Sequence, residues 1–227
     1  MIKLILFDID GTLINPGRVG RRSLTEAFYE LFSVQDAFSD IAMAGKTDIQ
    51  IIKEALTAHG LASDDGAIPK ILTQYVNILR SEINTGKVSL NPGVIELLND
   101  LETNEGFRLG LLTGNIEQGA RLKLSAFDLN RQFLFGGFGD DNEDRNKLLP
   151  MAVERFRNMT NIDIGFSDCI VIGDTPMDIE CSSPFGAISV GVSTGPFSFD
   201  SLVKAGADFV LEDLTQAKEL ELFYPDL

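Results

Sequence analysis

The chain has 227 residues, 44% hydrophobic and 23% charged, with a formal net charge of −15. That length supports one large domain, or a core with a smaller insertion, without help from disulfides or structural metals. The acidic balance argues against nucleic acid and anionic membranes as partners, and no run of about 18 apolar residues marks a membrane span.

The apolar start, Met1 to Phe7, is short and is ended by Asp8. It lacks the basic beginning, longer apolar stretch and cleavage site of a leader, so it reads as a buried first strand over Ile2–Phe7 in a cytoplasmic protein. From about Pro16 to Leu90 the pattern is helical, with no convincing strand. Ser23–Phe32, Thr47–His59 and Ile68–Ile83 each space apolar residues by three and four. Asp48 is the expected cap of the second of these, and Asn91-Pro92-Gly93 reads as a loop into the next helix. Beyond it, strands are expected at Arg108–Leu112, Gln132–Phe135, Cys169–Ile172, Ile188–Val192 and Asp208–Leu211. Helical patterns at Gly93–Glu105, Ile116–Phe127, Leu148–Thr160 and after Pro176 separate several of them, while Phe135–Asp144 reads as a glycine- and acid-rich loop. Continuous apolar strands alternating with helices predict a doubly wound α/β fold, mainly parallel, with helices on both faces. Residues 1–15 and 91–227 would form that core, and 16–90 an all-helical insertion after strand one.

Two cysteines, Cys169 and Cys181, make no disulfide framework. His59 is the sole histidine, which excludes a His/Cys zinc cluster and Ser-His-Asp chemistry within the chain. Its place beside Gly60 suits a helix C-terminus. The first strand instead delivers Asp8-Ile9-Asp10-Gly11-Thr12-Leu13, two carboxylates two residues apart at the edge where open α/β sheets bind ligands. The second ends in Thr113-Gly114-Asn115, a hydroxyl and backbone N–H groups opening a helix, which suits a phosphate or a simple cap. The strand ending at Ile172 continues as Gly173-Asp174-Thr175-Pro176-Met177-Asp178. Taken alone, Asp174 is as well explained as an N-cap. Convergence decides: acid, hydroxyl and acid meet at one sheet edge. Clustered carboxylates repel unless a cation binds, and hard oxygen donors select magnesium. An anionic substrate also needs a basic group, for which Arg145 is the candidate and Lys147 the competitor.

These segments together resemble the haloacid dehalogenase superfamily of phosphatases over nearly the whole chain. Asp8 to Leu13 fits the family's first motif, Thr113 the second, and Gly173 to Asp178 the fourth. The third motif departs from pattern: Pro150 fits its proline, which puts Arg145 where the family usually has lysine and leaves Lys147 two residues out of register. The helical insertion looks like a C1-type cap, and the phosphoglycolate phosphatase-like group is the most similar. The resemblance implies that Asp8 attacks phosphorus and that Asp10 acts as general acid and base. Magnesium would be held by Asp8, the Asp10 backbone carbonyl and Asp174, with Asp178 in support. Thr113, Gly114 and Asn115 would bind the phosphoryl group, Arg145 would orient Asp8, and Lys46 in Ala44-Gly45-Lys46-Thr47-Asp48 would contact the substrate or simply be solvated. The expected substrate is a small phosphorylated metabolite, acted on by a monomer or homodimer. A phosphomutase and a catalytically idle binding relative are the alternatives. Asp10 argues against a 2-haloacid dehalogenase.

Overall fold

The computed structural model describes residues 2–63, 66–84 and 88–223. Its centre is β1 (Lys3–Phe7), flanked by β4 (Phe107–Leu112) and β6 (Cys169–Gly173). Beyond them lie β5 (Gly136–Gly137) on one side, and β7 (Ile188–Val192) and β8 (Phe209–Leu211) on the other. All six strands are parallel, in the order β5-β4-β1-β6-β7-β8. The chain moves outward from β1 through β4 to β5, then returns to the other side of β1. That reversal opens a crevice at the carboxyl ends of β1, β4 and β6.

Successive side chains of a strand point to opposite faces, and β1 is apolar at both. Leu4 and Leu6 pack with Leu148, Val153 and Phe156 of α6 (Leu148–Thr160). Ile5 and Phe7 pack with Leu97, Leu98 and Leu101 of α4 (Val94–Thr103) and with Ala120 and Leu124 of α5 (Glu117–Ser125). Both faces of the sheet are therefore covered by helices, as a buried parallel sheet requires.

A separate apolar cluster joins α1 (Val19–Phe32), α2 (Asp48–Ala58) and α3 (Ala67–Glu82). α1 buries Val19, Leu24, Ala27 and Phe28, and α3 buries Ile71, Tyr75, Val76 and Leu79, each a single helical stripe. Phe28 meets Phe38 edge to face with ring centroids 4.7 Å apart. His59 follows α2, with Nε2 3.0 Å from the Ala37 carbonyl oxygen. No helix among the described residues is long and apolar enough to cross a membrane.

The structure corrects three expectations. No strand forms at Gln132–Phe135; residues 130–132 make a 3-10 turn, and the edge strand β5 lies in the stretch read as a loop. Its two glycines allow the close approach: a Cβ on Gly136 would lie 2.7 Å from Leu111 O, and one on Gly137 2.5 Å from Leu148 O. A short antiparallel ribbon, β2 (Ile14–Asn15) with β3 (Ser89–Leu90), closes the base of the helical segment where no strand was expected. Two residues carry no detectable period. Thr47, not Asp48, caps α2, its hydroxyl accepting from Gln50 N–H. The helix expected after Pro176 forms as α7 (Pro176–Ser182), and a further one, α8 (Phe199–Lys204), six residues begun by Ser198, is too short to show a stripe.

Gly137→Ala is expected to lower stability by about 1–3 kcal/mol because the new methyl meets backbone. Leu134→Ala, at a side chain 69% exposed, should stay within about 0.5 kcal/mol. Urea unfolding distinguishes them, and equal effects would contradict the placement of β5.

Candidate active site

The first acidic pair sits on a tightly held loop. Asp8 N–H donates to Ile172 O at 2.9 Å, continuing the β1–β6 ladder. Gly11 then turns the chain at φ +93°, and Leu13 and Ile14 both donate back to Ile9 O. Asn91 clamps the turn from the base of the helical segment, its Nδ2 donating to Gly11 O at 2.8 Å and Thr12 O at 2.9 Å. The Thr194 hydroxyl donates to Gly11 O from the far side.

The end of β6 supplies Asp174 and, through the first turn of α7, Asp178. Pro176 and a capping box start that helix: Asp178 Oδ2 accepts from Thr175 N–H at 3.0 Å and from its hydroxyl at 2.7 Å. Glycines make room for the acids. A Cβ on Gly11 would lie 2.3 Å from Asp174 Oδ2, one on Gly195 1.7 Å from the same atom, and one on Gly173 2.1 Å from Asp178 Cγ. Asp8, Asp174 and Asp178 are all buried, each offering a carboxylate oxygen within 4.8 Å of the others.

Arg145 enters this trio. Its Nη2 donates to Asp8 Oδ1 at 3.1 Å and to Asp178 Oδ1. Burial works against its charge, but Asp178 and Asp8 outweigh that and raise its pKa further. Lys147 is exposed, so of these two it is Arg145 that joins the acids. One guanidinium does not relieve three acids. Burial pushes the Asp8 carboxyl up to about 6 despite Arg145, with Asp178 and Asp10 adding to the rise. Asp174 is held well above the carboxylate range by burial, then by Asp8 and Asp178.

At the end of β4, buried Thr113 donates its N–H to Gly137 O at 3.0 Å. Asn115 Nδ2 donates to Thr113 Oγ1 and to Asp10 Oδ2, both at 2.8 Å. A Cβ on Gly114 would lie 2.1 Å from Lys46 O, so the 44–48 loop lies directly against it. Lys46 lines the cavity, with its ammonium 2.6 Å from Glu54 Oε2. The residues picked out in the sequence thus come together around one cavity of about 880 Å³, with Asp178 behind its wall, a usual size for a small-molecule site.

Two residues at this site were missed. Lys123 of α5 is buried against Asp10 Oδ2 and Asn115 Oδ1. Asp48 donates its N–H to Gly114 O at 2.8 Å and accepts Ile116 N–H at 2.9 Å through Oδ2, while burial pushes its pKa up to about 6. The signal for Lys123 was available: a lysine within the stripe Gly119, Ala120, Lys123, Leu124 that α5 buries.

The family model described as haloacid dehalogenase-like hydrolase matches residues 5–192. The chain belongs to this family. Among curated relatives, the putative pyrophosphatase PpaX of Clostridium perfringens is 24% identical over 216 residues, covering 93% of this chain and 94% of its own. The phosphoglycolate phosphatase of Rhodospirillum rubrum is 26% identical over 219 residues, covering 94% and 88%. Of solved structures, CbbY from Rhodobacter sphaeroides in complex with phosphate superposes with a TM-score of 0.74 at 18% identity, over 95% of this chain and 96% of that one.

Arg145→Met leaves the acids of this haloacid dehalogenase-like site uncompensated. In chelator-treated protein at neutral pH it should cost about 3 kcal/mol by urea unfolding, whereas Lys147→Met should stay within about 0.5 kcal/mol. A small effect at both positions would contradict the pairing.

Proposed function

We propose that the protein hydrolyses a small phosphomonoester with magnesium, through an aspartyl-phosphate on Asp8. The observation that carries this reading is the buried trio Asp8, Asp174 and Asp178 beside the Thr113 turn. Three convergent hard-oxygen donors, with Arg145 the one cation paired to them among the described residues, suit a small divalent cation. Asp8, the Asp10 backbone carbonyl and Asp174 would hold it, with Asp178 supporting the shell directly or through water. When bound, magnesium supplies positive charge to the phosphoryl oxygens.

The chain's own residues do the rest. The Asp8 carboxylate attacks phosphorus as the bond to the leaving oxygen breaks, and Asp10 passes its proton to that oxygen. Water then attacks the phosphorus. Asp10 takes a proton from that water, and the Asp8–phosphorus bond breaks to release phosphate. Thr113 and the backbone N–H groups of Gly114 and Asn115 hold the phosphoryl oxygens, while Arg145 orients Asp8. Phosphoryl transfer depends largely on such positioning and charge stabilisation. In this reading residues 16–90 form a cap that excludes water and selects the leaving group, and Lys46 meets substrate by leaving Glu54. The names of the relatives, phosphoglycolate phosphatase among them, favour a small phosphorylated metabolite.

Turnover of p-nitrophenyl phosphate and phosphoglycolate should require magnesium, and Asp8→Asn should lower kcat by about 10⁴-fold or more. Metal-independent turnover, or turnover that survives Asp8→Asn, contradicts the mechanism. The metal also has a pH signature. Asp8 has a raised folded-state pKa, so its contribution to stability is present below its unfolded value and is lost as pH rises through about 6. Bound metal reverses that loss by displacing the protons. The thermal shift caused by magnesium should therefore be larger at pH 7.5 than at pH 5; a shift independent of pH would count against a site built on these acids.

A further inference from the structure

Lys123 is 3% exposed, and a buried lysine is rare unless paired. It lies in the apolar stripe of α5, between Ala120 and Leu124, where a leucine or methionine would pack without the desolvation cost of an ammonium. Its Nζ donates to Asp10 Oδ2 and, at 2.6 Å, to Asn115 Oδ1. The second contact fixes the Asn115 amide, which turns Nδ2 toward Asp10 Oδ2 and Thr113 Oγ1. The cap segment closes over the group: a Cβ on Gly20 would lie 3.5 Å from Nζ and 3.7 Å from Tyr75 Oη. Two donors thus converge on one oxygen of Asp10. The other, Oδ1, is shielded from solvent and has no partner, and an orphaned buried acceptor calls for a functional explanation.

We infer that Lys123 is a positioning residue for the leaving-group step, holding Asp10 by Oδ2, with Asn115 as relay, so that Oδ1 stays free to carry the proton exchanged with the leaving oxygen. The assignment rests on the phosphohydrolase reading above. It differs from a packing role in a way that kinetics reads. An alkyl leaving oxygen must be protonated as it departs, whereas p-nitrophenolate departs without a proton. A general acid of this kind contributes about 10²-fold or more.

The test compares kcat and KM of wild type, Lys123→Met and Lys123→Gln on phosphoglycolate, glycerol phosphate and p-nitrophenyl phosphate, with magnesium present. Lys123→Met should lower kcat on the best alkyl ester by about 10²-fold, at least tenfold more than on p-nitrophenyl phosphate, with little change in KM. Lys123→Gln, which keeps a neutral donor, should recover part of the alkyl activity. If Lys123→Met does not fold, the same split is read from Lys123→Gln against wild type. An equal fall on alkyl and aryl esters, or a loss confined to KM, overturns the assignment. Activity that persists in Asp8→Asn overturns the phosphohydrolase reading itself, and that control separates the two failures.

Discussion

Three carboxylates held within 4.8 Å of one another, out of water, form an arrangement that a folded chain tolerates only with compensation. Much of the local structure answers to that constraint. Adjacent strands β1 and β6 bring Asp8 and Asp174 side by side, and the capping box of α7 aims Asp178 at them. Gly11, Gly173 and Gly195 leave the volume in which the acids sit. Arg145 bonds to two of the acids, yet burial and their mutual repulsion still raise the pKa values of Asp8 and Asp174. Near neutral pH a divalent cation is the natural relief.

Around that centre lies a second layer in which core and helical segment meet. Arg145 Nη1 reaches Gly45 O at 3.3 Å, Asp48 N–H reaches Gly114 O, and the Thr47 hydroxyl reaches Glu143 O at 2.8 Å. The 44–48 loop is thus tied to the residues that flank Thr113, and Asp10, Asn115 and Lys123 lie just beneath. A group that compensates the acids also holds the helical segment down.

Most of the sheet was legible because strands buried on both faces are continuous apolar runs, and Asp8, Thr113 and Asp174 each follow one. Arg145 was favoured over Lys147 for the bidentate pairing a guanidinium allows and then by the register of Pro150; burial in the fold separates the two. β5 was misplaced because apolar content favoured Phe133 and Phe135, both of which are buried, while the pairing residues are glycines chosen for absence of a side chain. Asp48 was passed over because it looks like an ordinary helix residue, and Lys123 although it falls within the stripe that α5 buries. Their meaning comes from partners distant in sequence, Asp10 and Ile116, that only the tertiary structure supplies.

The central claim is that Asp8 carries the phosphoryl group. The most direct measurement is rapid acid quench during turnover of phosphoglycolate with magnesium, followed by borohydride reduction and mass mapping of the peptides. The account predicts reduction of the position 8 side chain to homoserine, dependent on substrate and absent from Asp8→Asn. Turnover with no trapped species, or trapping at Asp10, Asp174 or Asp178 instead, would contradict it.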